Sequence, residues 1–146
     1  MLSQFKGKPA QKRGGLTLVE LLIVLIVVGV LAALAVPSYL DAVRKARRTD
    51  AVGALLEMQL AQERWRSRHG HYTDQLTNLH GSLSTTPQGY YALSVTVTPE
   101  TANSAYRLMA TALNGSSQES DGNCAELTLE VTGAITKFSQ PECWSR

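Results

Sequence analysis

Acid is missing from the first 15 residues, base is scarce from residue 69 onward, and the 21 residues from Leu16 to Val36 hold one ionisable group, Glu20. Each shortage excludes something. From His69 to the end, Arg107, Lys137 and Arg146 face Asp74, Glu100, Glu119, Asp121, Glu126, Glu130 and Glu142, a net of −4. Such an acidic portion is poorly suited to holding a polyanion. His69, His71 and His80 lie near one another, but with no His-x-x-x-His spacing and no cysteine among them. A metal site is therefore not expected. No nucleophile–base pair and no phosphate-binding loop is found, so no enzymatic role and no cofactor are expected. Cysteine is reduced to Cys124 and Cys143. An even pair placed late in the chain, beyond a membrane segment, points to an oxidising compartment and one disulfide. A bridge between them closes a loop of 20 residues counting both ends; loops of that size stabilise by roughly 3 kcal/mol in the chain-entropy account.

The averages hide this unevenness. The net charge of +2 and the mean hydropathy of −0.08 belong to no single part of the 146 residues. Residues 1–15 carry Lys6, Lys8, Lys12 and Arg13; without them ten basic residues remain against twelve acidic ones. The apolar block Leu16–Val36 reads LTLVELLIVLIVVGVLAALAV. At about 1.5 Å per residue it reaches about 31 Å, enough to cross a hydrocarbon core. It is too long for the apolar region of a secretory signal, and no small-residue cleavage site closes it. Orientation by positive charge is close to a tie, because Arg44, Lys45, Arg47 and Arg48 follow the span and acids count for little in that rule. The cysteines break the tie by placing the C-terminus outside.

A charge at the bilayer centre costs roughly 2.5–3.5 kcal/mol, and less near an end. Glu20 can reach the interface or take a partner cation. Cleavage after Gly15 creates an α-amino group four residues before it, which one subunit's carboxylate could neutralise in another. Lys12-Arg13-Gly14-Gly15-Leu16-Thr17-Leu18-Val19-Glu20 with its apolar run resembles the class III signal of type IV prepilins. The resemblance implies removal of residues 1–15 by a prepilin peptidase and N-methylation of Leu16. It also implies a role for Glu20 in assembly. Leu16 departs from the family's usual Phe. Gly29 and Pro37 resemble the pair that, in pilins, brackets a stretch that loosens as subunits join the filament. Proline within the helix removes one backbone bond and predicts a kink at the membrane exit.

Beyond the span, Ala51, Ala54, Leu55, Met58, Ala61 and Trp65 recur at helical spacing. One helix is predicted from about residue 17 to 68, its membrane half over 16–36 and its amphipathic half over 37–68, ended by Gly70. Residues 70–88 read as a turn-rich loop. Alternation then predicts strands at Tyr91–Val97, Tyr106–Thr111 and Leu127–Val131, and Thr132-Gly133 turns into a fourth at Ala134–Phe138. Cys124 is placed at the opening of the third strand and Cys143 after the fourth. Residues 69–146 thus form a head whose sheet covers the helical stripe, an α+β fold.

The cysteine placement resembles the disulfide-bounded loop of type IV pilins. Cys143-Trp144 and the Asp121-Gly122-Asn123-Cys124 turn resemble the minor pilins of the PilE and ComP-like group. What this implies is a filament subunit used in pilus assembly, adhesion and twitching motility. Its partners would be other pilin subunits, the prepilin peptidase/N-methyltransferase and an inner-membrane assembly platform. It would sit in the inner membrane with a cytoplasmic leader and a periplasmic head before joining an extracellular pilus. The alternatives are a DNA-uptake receptor of the ComP-like kind, disfavoured by the acidic head, and a pseudopilin of a type II secretion system, disfavoured by the C-terminal cysteine pair. A plain membrane-anchored domain, left uncut, is a further alternative.

Overall fold

Apolar residues at every turn from Leu18 to Leu40 leave no polar face on the first part of the chain, so it can form a helix but not a half-buried one. In the computed structural model, which describes residues 15, 17–81 and 83–144, it does so. Residues 1–14 of the expected leader, and Leu16, the expected methylation position, lie outside the described residues. Helix α1 (Leu18–His69) runs through Pro37. Contacts divide the chain into two compact units, Met1–Ser38 and Tyr39–Arg146. The amphipathic part of α1 therefore belongs to the same unit as the sheet.

In the first unit the apolar side chains of α1 are exposed, among them Leu22, Ile26, Val30 and Leu34. Among the described residues, α1 is the helix long and apolar enough to cross a membrane.

In the second unit, strands β1 (Tyr91–Thr96), β2 (Ala105–Ala112), β3 (Glu126–Thr132) and β4 (Ile135–Phe138) form an antiparallel meander in the order β1-β2-β3-β4. Period-2 alternation aims Tyr91 and Leu93, then Tyr106, Leu108 and Ala110, then Leu127, Leu129 and Val131 at one face. Those side chains join Ala51, Ala54, Leu55 and Met58 of α1 in one buried cluster. Complete burial of a leucine or methionine contributes about 1.5–3 kcal/mol, and Leu55, Met58, Leu108, Leu127 and Leu129 are all fully buried. The α+β arrangement expected from the pattern is the one observed.

Two glycines are required by the backbone. Gly70 sits at φ 78° and donates to Arg66 O at 2.8 Å, ending α1 in a left-handed residue. Gly133, at φ 61°, is the first residue of the two-residue connection between Thr132 and Ile135, where a II′ hairpin needs positive φ.

Several details differ from the expectation. Trp65 is only half-buried, and the buried stripe includes Gln62. The loop over 70–88 contains the helix α2 (Leu76–His80), and the tail contains α3 (Pro141–Trp144). Both are shorter than the window in which a 3.6-residue period can be recognised. Val97 falls outside β1, and Cys124 lies on a 3-10 turn, Gly122–Cys124, before β3.

Candidate functional site

Thr17 stands before the first turn of α1, where four backbone N–H groups have no helical acceptor. Its Oγ1 accepts the N–H of Glu20 at 3.2 Å, and its carbonyl accepts from Leu21 N. Glu20 thus occupies the third helical position, where a carboxylate also meets the positive end of the helix dipole. The Thr-x-x-Glu spacing was available in the sequence as a helix-start signal, and the family motif overshadowed it. Glu20, Gly29 and Pro37 all lie on α1 and are exposed, while Gly15 precedes the helix. The structure brings none of these four together.

Four basic residues follow the span, and three of them are occupied within the fold. Arg48 donates twice to Asp121, at 2.6 and 2.7 Å, a bidentate fork. That hydrogen bonding holds the Arg48 guanidinium above its ordinary pKa. Arg44 reaches Ser120 at 3.3 Å and Asp41 at 3.2 Å. Arg47 bonds Ser117 and lies over the Tyr90 ring, 4.5 Å from its centre. Buried Gln118 donates to the Tyr91 hydroxyl at 2.9 Å and to the Arg44 carbonyl at 3.2 Å. Arg44, Arg47 and Arg48 therefore form a clamp that fastens the β2–β3 loop onto α1.

Cys124 and Cys143 are bonded, with Cα atoms 5.5 Å apart. Around them the tail is folded back. Trp144 Nε1 donates to Ser139 O at 2.6 Å, and its ring lies 4.6 Å from that of Phe138. Thr128 N donates to Ser139 Oγ at 2.8 Å, and Ser139 N donates to Thr128 O at 2.9 Å. The bridge thus anchors α3 beside β3.

At the end of α1 a second set of polar side chains converges. Gln62 is fully buried; its amide donates to Thr73 O at 2.7 Å and accepts from Thr73 N at 3.0 Å. Tyr72 donates to Glu63 Oε1 at 3.1 Å and accepts from Arg66 at 3.0 Å. The rings of Tyr72 and Tyr106 meet edge-on, 4.5 Å apart. Burial, followed by the Glu63 carboxylate, pushes the Tyr106 phenol far above its ordinary pKa. Burial and the Glu63 hydrogen bond raise Tyr72 as well. Beside them, Arg64, Trp65, Arg68, Asn78 and Leu79 line a groove of about 300 Å³. His69 stacks on Trp65 at 3.8 Å and His71 lies 6.3 Å beyond His69.

Comparison with known proteins follows the same division of the chain. Residues 10–36 match the family model of the prokaryotic N-terminal methylation motif. Residues 37–128, more than half of the chain, match the model described as "Type IV minor pilin ComP, DNA uptake sequence receptor". A fimbrial protein of Neisseria meningitidis serogroup A is 35% identical over 83 residues, 57% of this chain and 49% of that protein. The type IV major pilin PilE of Neisseria gonorrhoeae is 32% identical over 83 residues, 57% of this chain and 50% of that protein. Fimbrial protein Q of Moraxella bovis is 50% identical over 46 residues, 32% of this chain and 28% of that protein. The match spans about half the length of the longest-matching curated relatives. An apolar helix opened by a methylation motif, continuous with a helix-and-sheet unit that fits the minor pilin model, places the chain in the type IV pilin family as a minor pilin.

Proposed function

We propose that this chain is cut between Gly15 and Leu16, methylated at Leu16 and built into a type IV pilus as a minority subunit. Residues 1–15 are the leader, facing the cytoplasm; residues 16–36 hold the precursor in the inner membrane, and the sheet-bearing unit lies outside. In the filament, Glu20 of one subunit neutralises the Leu16 α-amine of another, and the stretch Gly29–Pro37 loosens. Its partners are other pilins, a prepilin peptidase/N-methyltransferase and an inner-membrane assembly platform. The observation that carries this reading is the methylation motif over residues 10–36 running into an exposed apolar helix with one acid in its first turn. Mass spectrometry of the mature subunit tests it. The N-terminus is expected at Leu16 with about 14 Da of added methyl mass, the increment of one N-methylation on the terminal amine. An uncut chain in cells that contain the peptidase overturns it.

A second reading, a receptor for DNA during uptake, is favoured by one observation: the family model matching residues 37–128 carries that description. The acidic count from residue 69 onward weighs against broad contact with a duplex. A receptor here would have to rely on a few basic side chains left unengaged by the fold.

A further inference from the structure

We propose that the outer edge of β4 takes up an extended segment of another protein as an antiparallel fifth strand, one in which an acid stands between an apolar and a β-branched residue.

The two edges of the sheet are finished differently. Along β1 the chain covers its own edge: Thr85 bridges to Ala92, Leu93 N donates to Ser84 O at 2.8 Å, and Thr86 N donates to Tyr91 O at 2.9 Å. Among the described residues, β4 has no such cover and pairs with β3 alone. Which of its backbone groups are left over follows from the alternation of an antiparallel ladder. Ser139 N donates to Thr128 O, so the next pair, Phe138 with Leu129, is not hydrogen-bonded, and neither is Thr136 with Val131. The N–H and C=O groups of Thr136 and Phe138 therefore point away from β3. No other described segment bonds to these four groups.

The side chains along the edge define what fits. Register places Arg107, Glu130 and Lys137 in one row across β2, β3 and β4. Glu130 is taken by Arg107 at 3.0 Å. Lys137 is exposed, with no ion-pair partner among the described residues. An acid on a fifth strand continues the alternation of sign. With Thr136 and Phe138 in the hydrogen-bonded pairs, Lys137 faces that acid in a non-hydrogen-bonded pair, where side chains come closest. On the opposite face Phe138 is exposed beside Trp144, their rings 4.6 Å apart, and an apolar residue just before the acid covers it. A β-branched residue just after the acid then faces Thr136. The same order already stands on the inner side of β4, where Leu129, Glu130 and Val131 face Phe138, Lys137 and Thr136. A second copy of β4 fits poorly. The register that uses all four groups on both copies sets Lys137 against Lys137, and like charges directly opposite repel.

The test titrates the full-length protein in non-ionic detergent against a fluorescein-labelled peptide with the sequence of β3, ELTLEVT, and follows polarisation. Saturable binding is expected below about 1 mM. Lys137→Glu should weaken it by about threefold or more, and a peptide ELTLKVT should bind Lys137→Glu better than it binds the wild type. Thr136→Pro removes an outward N–H and leaves the ladder to β3 intact, as proline on an edge strand can. It should abolish binding with a thermal midpoint close to that of the wild type. If Thr136→Pro does not fold, the charge exchange between Lys137 and the peptide decides alone. The proposal is overturned by a wild type that shows no saturation, by unchanged binding in a folded Thr136→Pro, or by a Lys137→Glu variant that prefers neither peptide. A wild-type dimer in sedimentation that Thr136→Pro dissolves also overturns it, because the occupant is then a second copy.

Discussion

Gln62 sits where the helical period calls for an apolar side chain, four residues after Met58, and it is fully buried. Its amide closes both hydrogen bonds with the backbone of Thr73, so the chain leaving α1 can be buried without orphaned groups. Gln62→Ala removes both partners at once. The expected cost is about 2–6 kcal/mol, one to three for each of the two buried groups left unmet, read as a lower thermal midpoint of the sheet-bearing unit in the full-length protein. A midpoint within a degree or two of wild type, by the usual relation of free energy to melting temperature, would show that water replaces the amide at no cost. The position was readable as a polar residue on a buried stripe, but its partner was not, because Thr73 comes 11 residues later through an irregular turn. The tyrosines give a second test. Burial and Glu63 raise the phenols of Tyr72 and Tyr106, so the folded state holds their protons more tightly than the unfolded chain, in which tyrosine titrates near about 10. Their contribution is complete below about pH 10 and is lost as pH rises above it. Between about pH 8 and about pH 11 the wild type should lose stability, and Tyr106→Phe should lose less over the same interval. Identical declines in the two proteins would remove Tyr106 from that titration.

The elements divide by how local their causes are. Strands β1 to β3 were legible because Tyr91–Leu93, Tyr106–Leu108–Ala110 and Leu127–Leu129–Val131 alternate with polar residues, and burial follows that alternation. The stop at Gly70 was legible because a left-handed residue suits glycine. Helices α2 and α3 were not, since five and four residues cannot display a period. The arginine clamp was not either, since Arg48 and Asp121 are 73 residues apart and no local pattern links them. The tail lies between these cases: two cysteines announced a bridge, and only the fold shows that it holds α3 through Cys143 beside a short edge strand with Ile135 and Phe138 exposed. Replacing Cys124 and Cys143 together by Ser should cost roughly 3 kcal/mol, a fall of about 10 °C or more in melting temperature for a unit of this size. Because β4 is paired on one side only, the loss should first appear as faster hydrogen exchange in β4. Unchanged melting and exchange would show that the Trp144–Ser139 contacts suffice to hold the tail.

At the scale of the whole molecule, the chain joins an exposed apolar helix to a sheet-bearing unit, and Glu20 is the residue on which the proposed assembly turns. Two roles compete for it. One is local: it stands in the first turn after Thr17, where an acid supports the start of a helix. The other is intermolecular: its charge meets the Leu16 α-amine of another subunit. Glu20→Gln separates them. Glutamine can take the same place in a Thr-x-x-Glu/Gln start, so the beginning of the helix is preserved. It removes a charge that is costly in the bilayer, so insertion should be no worse than wild type. What it cannot supply is a counter-ion for an amine in a water-poor helix bundle, where an unpaired charge costs several kcal/mol. The expected outcome is a wild-type amount of cleaved Glu20→Gln subunit in the membrane fraction, with little or none in sheared filaments. Thr17→Ala is the companion variant: it weakens the helix start by about 1 kcal/mol and keeps the charge. It should enter filaments near the wild-type level. If Thr17→Ala is excluded from filaments and Glu20→Gln is not, the acid serves the helix start alone and the amine pairing is wrong.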